Sequence, residues 1–434
     1  MVKWPTRASE ALILALSIPV FFFLDFLDII LCLVYGFLDD LLEEKTYYPC
    51  CCENRVKQGT VIACTDGEGE VSETLHERRN PFRDMGLFRL RKRREVKGEK
   101  GFPKATRWSD CDCRFCVSWK GNEEQKLHLV VKEPLHAETE DPDQSQDSIE
   151  NIIFLHGFLS SSSWWTETVF PNLSDWTNKN CKLFAVDLLG FGQSPKPSDA
   201  LYTLKDHLEK IEKTVIEPFE LDSFHIVAHS MGCVIALALA AKYSKSVKSI
   251  TLVAPPYFTS TKENASQNAL NRLAERKIWP PQRFGTSIMS WYEHLGRCVC
   301  FIVCRNHRLW EWLLKFICRR SSLHFMVVDM TRHTHHSAWN SMHNVLCGGA
   351  KLLDDHLEIL KDSGVSVSVI QGDRDAVVPI ECGHNVKSKV PLTDLTIVSN
   401  ADHRTVVIGR EKAFAGDLEG IWCSSAVHHE QKKL

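Results

Sequence analysis

Residues 225–235 read H-I-V-A-H-S-M-G-C-V-I, a β-type apolar run that breaks at a small-x-Ser-x-Gly turn and resumes as an alanine-rich helical stretch. This order demands a strand that passes into a helix through a sharp turn with Ser230 at its apex. A serine hydroxyl attacks only if it projects from such a turn, and the turn must leave neighbouring backbone N–H groups to hold an oxyanion. The small residues two before and two after, Ala228 and Gly232, let strand and helix approach closely. Alanine stands where glycine is commoner, and it adds only a methyl group.

A five-residue pattern occurs by chance, so its weight comes from the company it keeps. Upstream, N-I-I-F-L-H-G-F (151–158) is a buried-strand pattern ending in His156-Gly157, the usual form of the loop that supplies a second oxyanion donor. Phe158 or a neighbour would give that N–H, and Met231 the other. K-L-F-A-V-D-L-L-G-F-G-Q-S (182–194) is a second strand running into a glycine-punctuated turn. Downstream, V-S-V-S-V-I-Q-G-D-R-D-A-V-V-P (365–379) alternates as a strand and then places two aspartates in a loop before a proline. Finally L-T-I-V-S-N-A-D-H-R-T-V-V (395–407) is a strand delivering His403 at its carboxyl end. The order Ser, Asp, His and the β, turn, helix rhythm predict an α/β-hydrolase fold, a mostly parallel sheet with helices on both faces.

Ser230 is a poor nucleophile at its free pKa and needs His403 as general base; an acid then fixes the imidazole tautomer and stabilises the imidazolium. Asp375, in G-D-R-D-A-V-V-P, is the expected acid. Asp373 is its rival and is better suited to capping the loop. His403 competes with His384, His428 and His429, but only His403 directly follows a strand-like run. His156 joins the candidate site as a residue of the oxyanion loop, more suited to shaping it than to carrying a proton.

Outside this unit the chain divides further. Residues 11–38 are apolar over a length that would span a bilayer as a helix, although Asp25 and Asp28 count against it at about 2.5–3.5 kcal/mol each near the centre of a span. A secretory signal and a hairpin lying in the interface are the alternatives. Lys3 and Arg7 precede the stretch and Asp39, Asp40, Glu43 and Glu44 follow it, so the positive-inside rule puts the catalytic unit outside the cytoplasm. The expected organisation is an anchor or signal over 1–48, a cysteine-containing basic linker over 49–124, and the hydrolase domain over 125–434 with its first strand near 125–133. Residues 256–350, with Trp279, Trp291, Trp310, Trp312 and Trp339, read as a helical cap inserted over the site, apolar enough to suit an acyl chain.

The cysteine total of 17 is high for a cytosolic enzyme. Cys50, Cys51 and Cys52 lie just past the apolar stretch and are candidates for acylation, with disulfide or free thiol as the rival. Cys111, Cys113 and Cys116 have C-x-C-x-x-C spacing, but no second ligand pair is close in sequence, so disulfides are preferred to zinc. R-H-T-H-H (332–336) lacks a carboxylate at ligand spacing and reads as surface or cap polarity. No metal or cofactor is therefore expected. A net charge of −3 gives no argument for nucleic acid as a partner, and the sequons at Asn172 and Asn264 fit a secreted domain.

The elbow A-H-S-M-G-C, the loop L-H-G-F-L-S-S-S-S-W-W, the turn D-L-L-G-F-G-Q-S-P, G-D-R-D-A-V-V-P and the N-terminal apolar segment together resemble the plant BODYGUARD proteins, a branch of the α/β hydrolases. The resemblance covers nearly the whole chain. It implies a lysophospholipase-like enzyme of the epidermal cell wall, associated with cuticle formation, with a lipid-type ester as substrate. By matching motif it makes Ser230 the nucleophile, Asp375 and His403 its relay, and His156 part of the oxyanion loop. The expected chemistry is acyl transfer through an acyl-enzyme, to water or to an alcohol. A binding or scaffold protein that keeps the fold without turnover is the alternative, and an epoxide hydrolase is disfavoured because that chemistry places a carboxylate where Ser230 stands.

Overall fold

Side chains that alternate along each strand sort into two apolar layers. In β2 (Glu150–Leu155) Ile153 and Leu155 enter one layer while Ile152 and Phe154 enter the other, and in β3 (Cys181–Val186) Phe184 and Val186 oppose Leu183 and Ala185. A sheet apolar on both faces must be covered twice, which is why helices flank it on either side. The computed structural model describes residues 7–42, 71–85 except 77 and 79, 107–116 except 115, 126–135 and 149–433. Cys50, Cys51, Cys52, much of the basic run after residue 85 and the loop 136–148 lie outside the described residues.

The remaining strands are β1 (Leu129–Lys132), β4 (Phe224–His229), β5 (Val247–Val253), β6 (Ser366–Gly372) and β7 (Asp394–Val398). They line up in the order β1-β3-β2-β4-β5-β6-β7. Only β1 runs antiparallel, pairing Leu129 with Val186; the rest are parallel. The chain reverses its direction of travel across the sheet around β2 and β4, so the loops that leave β2, β4, β6 and β7 all gather at one edge. The helix Met231–Lys242 follows β4 and is buried all round from Met231 to Ala240, as its lack of a polar face requires. It fills one layer, and the helix Glu411–Lys433 contributes Phe414, Leu418 and Trp422 to the other.

Between β5 and β6 the rhythm breaks into a helical cap that includes Pro281–Trp291, Glu293–Ile302, His307–Cys318, Phe325–Asp329 and His335–Ser341. Its histidines depart from the expectation of surface polarity. His333 and His335 are buried, and His336 Nε2 donates to the Ala200 carbonyl at 2.9 Å.

The N-terminal helix, Arg7–Leu42, is long and apolar enough to cross a membrane, yet one side of it is docked on the cap. The acidic residues that argued against a span are what hold it there. Asp28 Oδ1 accepts from the backbone N–H groups of His294 and Leu295 at 3.0 and 3.3 Å, satisfying orphan donors in the first turn of a cap helix. Asp25 faces Arg276 at 3.5 Å. Asp39 takes a bidentate pair from Arg297 at 2.7 and 2.8 Å and a third bond from Trp108 Nε1 at 2.7 Å. Phe21 stacks on Tyr292 and meets Phe284 edge-on. The opposite side leaves Leu12, Ile18, Phe23, Phe37 and Leu41 exposed.

Replacing one partner of a largely desolvated ion pair strands the other. Arg297→Ala is therefore expected to cost on the order of 3 kcal/mol. Hydrogen exchange across residues 7–42 would speed up while β4 and β5 stay protected; equal protection of the helix in the variant would disprove its electrostatic docking.

Candidate active site

Ser230 holds φ 51° and ψ −117°, a backbone state that non-glycine residues adopt at a cost of about 1–3 kcal/mol. Two bonds fix it: its N–H donates to Val253 O at 2.9 Å and its carbonyl accepts from Cys233 N at 2.9 Å. Close approach is enforced on both sides. A Cβ at Gly232 would lie 2.6 Å from the His156 carbonyl oxygen, and one at Gly157 would lie 3.2 Å from Ser230 Cβ. The 157–158 backbone therefore runs directly beside the serine.

The β6 and β7 loops bring the other two side chains to it. His403 Nε2 lies 3.0 Å from Ser230 Oγ, and His403 Nδ1 lies 2.7 Å from Asp375 Oδ2. Asp375 Oδ1 accepts from Val377 N and Val378 N, both at 2.8 Å, so the carboxylate is clamped with one oxygen aimed at the imidazole. Asp373 is exposed, and so is His384 on the helix Ile380–Lys389. The side chains of His428 and His429 lie outside the described residues. An Asp–His–Ser chain at these distances can move a proton from the hydroxyl to the ring while the carboxylate holds the tautomer.

His156, grouped with the catalytic candidates, is fully buried and turns both ring nitrogens to backbone. Nδ1–H donates to the Gly157 carbonyl at 2.7 Å and Nε2 accepts from Leu188 N at 2.9 Å. Burial holds its pKa below the ordinary imidazole value. Its part is to tie the β2 loop to the β3 loop, not to carry a proton. Ser230's own amide is spent on the Val253 carbonyl at 2.9 Å, so it is committed to the sheet.

Two residues escape a reading of the sequence. His229, immediately before the nucleophile candidate, stacks on Trp164 at 4.7 Å and donates Nε2–H to the His403 carbonyl at 3.1 Å. Burial, with the neighbouring His403 next, drives its pKa well below normal, so it is a neutral prop beneath the histidine loop. Asp329, on the cap helix Phe325–Asp329, accepts from Ser161 Oγ at 2.7 Å and so ties the cap to the loop after β2. Neither link has a local signal, since each joins segments more than a hundred residues apart. Around them Trp164 meets Phe325, and Phe158 meets Phe191, edge-on. These rings give the neighbourhood of the serine apolar walls.

The expectation of no metal ligands also changes. The sulfurs of Cys111, Cys113 and Cys116 converge with His307 of the cap, and His333 converges with Cys300 and Cys304. The histidine beside the three cysteines is supplied across the fold, more than a hundred residues away along the chain. Both clusters belong to the cap and to the segment 107–116, away from the strand ends that carry Ser230, Asp375 and His403.

Comparison with known proteins agrees with this architecture. Residues 150–283 match the family model for the alpha/beta hydrolase fold. The chain is 50% identical over 430 residues to "Probable lysophospholipase BODYGUARD 4" of Arabidopsis thaliana, covering 98% of this chain and all of that protein. It is 48% identical to "Probable lysophospholipase BODYGUARD 5", over 94% of this chain and 95% of the relative. To "Probable lysophospholipase BODYGUARD 1" it is 38% identical, over 95% and 97%. Both relatives are from the same plant.

Desolvation, with the nearby Asp187 charge adding to it, lifts the Asp329 carboxyl to about 6. An acid whose folded pKa is raised stabilises the fold below its unfolded value, near 3.8, and loses that contribution as pH climbs through 6. Thermal midpoints of the native chain should therefore fall, relative to Asp329→Asn, between pH 4 and 6. Above that window the variant should be the more stable of the two. Parallel curves would rule out Asp329 as the source.

Proposed function

From its membership of the BODYGUARD family of α/β hydrolases, which near full-length identities of 38–50% establish, we propose that this chain is a serine hydrolase or acyltransferase acting outside the cytoplasm on fatty-acyl esters. The observation that carries the reading is the unbroken contact chain from Asp375 through His403 to Ser230, at 2.7 and 3.0 Å. Ser230 Oγ attacks the ester carbonyl as His403 Nε2 takes its proton, and Asp375 stabilises the imidazolium. The amides of Met231 and Phe158 receive the oxyanion. Collapse of the tetrahedral intermediate breaks the ester C–O bond, with His403 returning its proton to the leaving alcohol and the acyl group left on Ser230. A second attack frees the acyl group: by water in a lysophospholipase or esterase, by an alcohol in transesterification of the kind polyester assembly in the cuticle requires.

The apolar walls built from Trp164, Phe325, Phe158 and Phe191 favour an acyl chain over a polar substrate. The relatives' name, probable lysophospholipase, agrees with a substrate that has one such chain and a polar head. For location we propose attachment at a membrane surface facing the cell wall. The exposed Leu12, Ile18, Phe23, Phe37 and Leu41 favour it, since their side of the N-terminal helix has nothing apolar to cover it among the described residues. Acylation at Cys50, Cys51 and Cys52 would add a second anchor of the kind stable attachment needs.

Labelling by a fluorophosphonate tests the chemistry. The full chain should label, and Ser230→Ala should not; a folded chain that stays unlabelled would make this a scaffold protein. His229→Phe keeps the stack on Trp164 and loses the bond to the His403 carbonyl. It should slow labelling about tenfold, the worth of one buried hydrogen bond of roughly 1–1.5 kcal/mol, with KM for a short-chain ester unchanged. Full-rate labelling would show that the histidine loop holds itself.

A further inference from the structure

We propose that Cys111, Cys113, Cys116 and His307 bind one zinc ion, which pins the segment between the N-terminal helix and the hydrolase unit onto the cap. The inference stands apart from the proposed catalytic activity, because no residue of the Ser230 site takes part in it.

The geometry of the donors carries it. His307 Nε2 lies 3.6 Å from Cys113 Sγ and 3.5 Å from Cys116 Sγ, and one donor atom from each of the four residues lies within 4.8 Å of all the others. With Zn–S and Zn–N bonds of about 2.3 and 2.05 Å at the tetrahedral angle, neighbouring sulfur and nitrogen donors stand ~3.6 Å apart and neighbouring sulfurs ~3.8 Å. The two sulfur–nitrogen separations match the edges of that tetrahedron, and every other donor pair lies within 4.8 Å. Three thiols and one imidazole form a closed structural set, and thiolate-rich tetrahedra select zinc over harder divalent ions. A disulfide would use two of the sulfurs and leave the third, with the ring, uncommitted.

The surroundings of His307 fit the same role. The residue is buried, and its Nδ1 meets Glu311 Oε1 at 3.0 Å, one helical turn along. With Nδ1–H donated to that carboxylate, the lone pair of Nε2 points at the sulfurs, the orientation that carboxylates impose on zinc-bound imidazoles. The same stretch already bridges two parts of the fold. Trp108 donates to Asp39 of the N-terminal helix, and Ser109 Oγ accepts from Arg297 of the cap at 3.2 Å. A metal a few residues further on would close that bridge. Close by, Cys300 and Cys304 lie 3.6 and 3.5 Å from His333 Nε2, and His307 N–H donates to the Cys304 carbonyl at 3.3 Å. That cluster has three donors among the described residues, short of a closed set, so the proposal is confined to the four-donor site.

The test is the metal content of the full chain, purified without chelator or added metal and measured by inductively coupled plasma mass spectrometry. At least one zinc per chain is expected; His307→Ala should hold about one fewer, and His307→Cys, which restores a fourth soft donor, should keep it. Cobalt(II) in place of zinc should give a thiolate charge-transfer band that grows in His307→Cys. The native protein decides by itself if the alanine variant does not fold. Zinc well below one per chain in protein that keeps its native circular dichroism would overturn the proposal. So would iron with sulfide in its place, unchanged zinc in His307→Ala, or a disulfide mapped between any two of the three cysteines.

Discussion

The left-handed backbone of Ser230 is the constraint around which the rest is arranged. A serine at φ 51° is unfavourable by itself and persists because β5 accepts its N–H and Cys233 N–H of the helix after it donates to its carbonyl. The same tight turn makes side chains impossible at Gly157 and Gly232, since added atoms there would run into Ser230, His229 and the β2 loop. Strain at the apex is therefore offset by packing on both sides of the sheet. The hydroxyl projects from the edge at which the β6 and β7 loops also arrive.

Electrostatics does a second job away from that edge. The acidic residues of an otherwise apolar helix meet cationic or N–H donors on the cap, Asp25 with Arg276, Asp28 with a helix start, and Asp39 with Arg297. A helix that would carry uncompensated charge in lipid becomes half protein core and half apolar surface. The cap is thus held from two directions, by the N-terminal helix on its outside and by the Asp329 contact to Ser161 beside the site.

Much of the catalytic edge was legible from the chain, because strand and turn chemistry is local. The elbow, the β2 loop and the histidine-bearing strand each announce themselves within about ten residues, and a parallel sheet brings strand ends together without further instruction. That Asp375 and not Asp373 faces the imidazole has a concrete reason: the Val377 and Val378 amides clamp one oxygen and turn the other to His403. What escaped were distant partners that no motif marks. His229 beneath the His403 loop, Asp329 on Ser161 and His307 among three cysteines each join segments more than a hundred residues apart.

Sequence by itself determined the layered α/β architecture and the identity of the residues at its reactive edge, since periodicity, glycine spacing and strand order are properties of short segments. Tertiary structure alone decided which polar groups are partners. A buried carboxylate, imidazole or thiol is stabilised by a complementary atom within about 3–4 Å, and that atom's position depends on how the whole chain closes on itself.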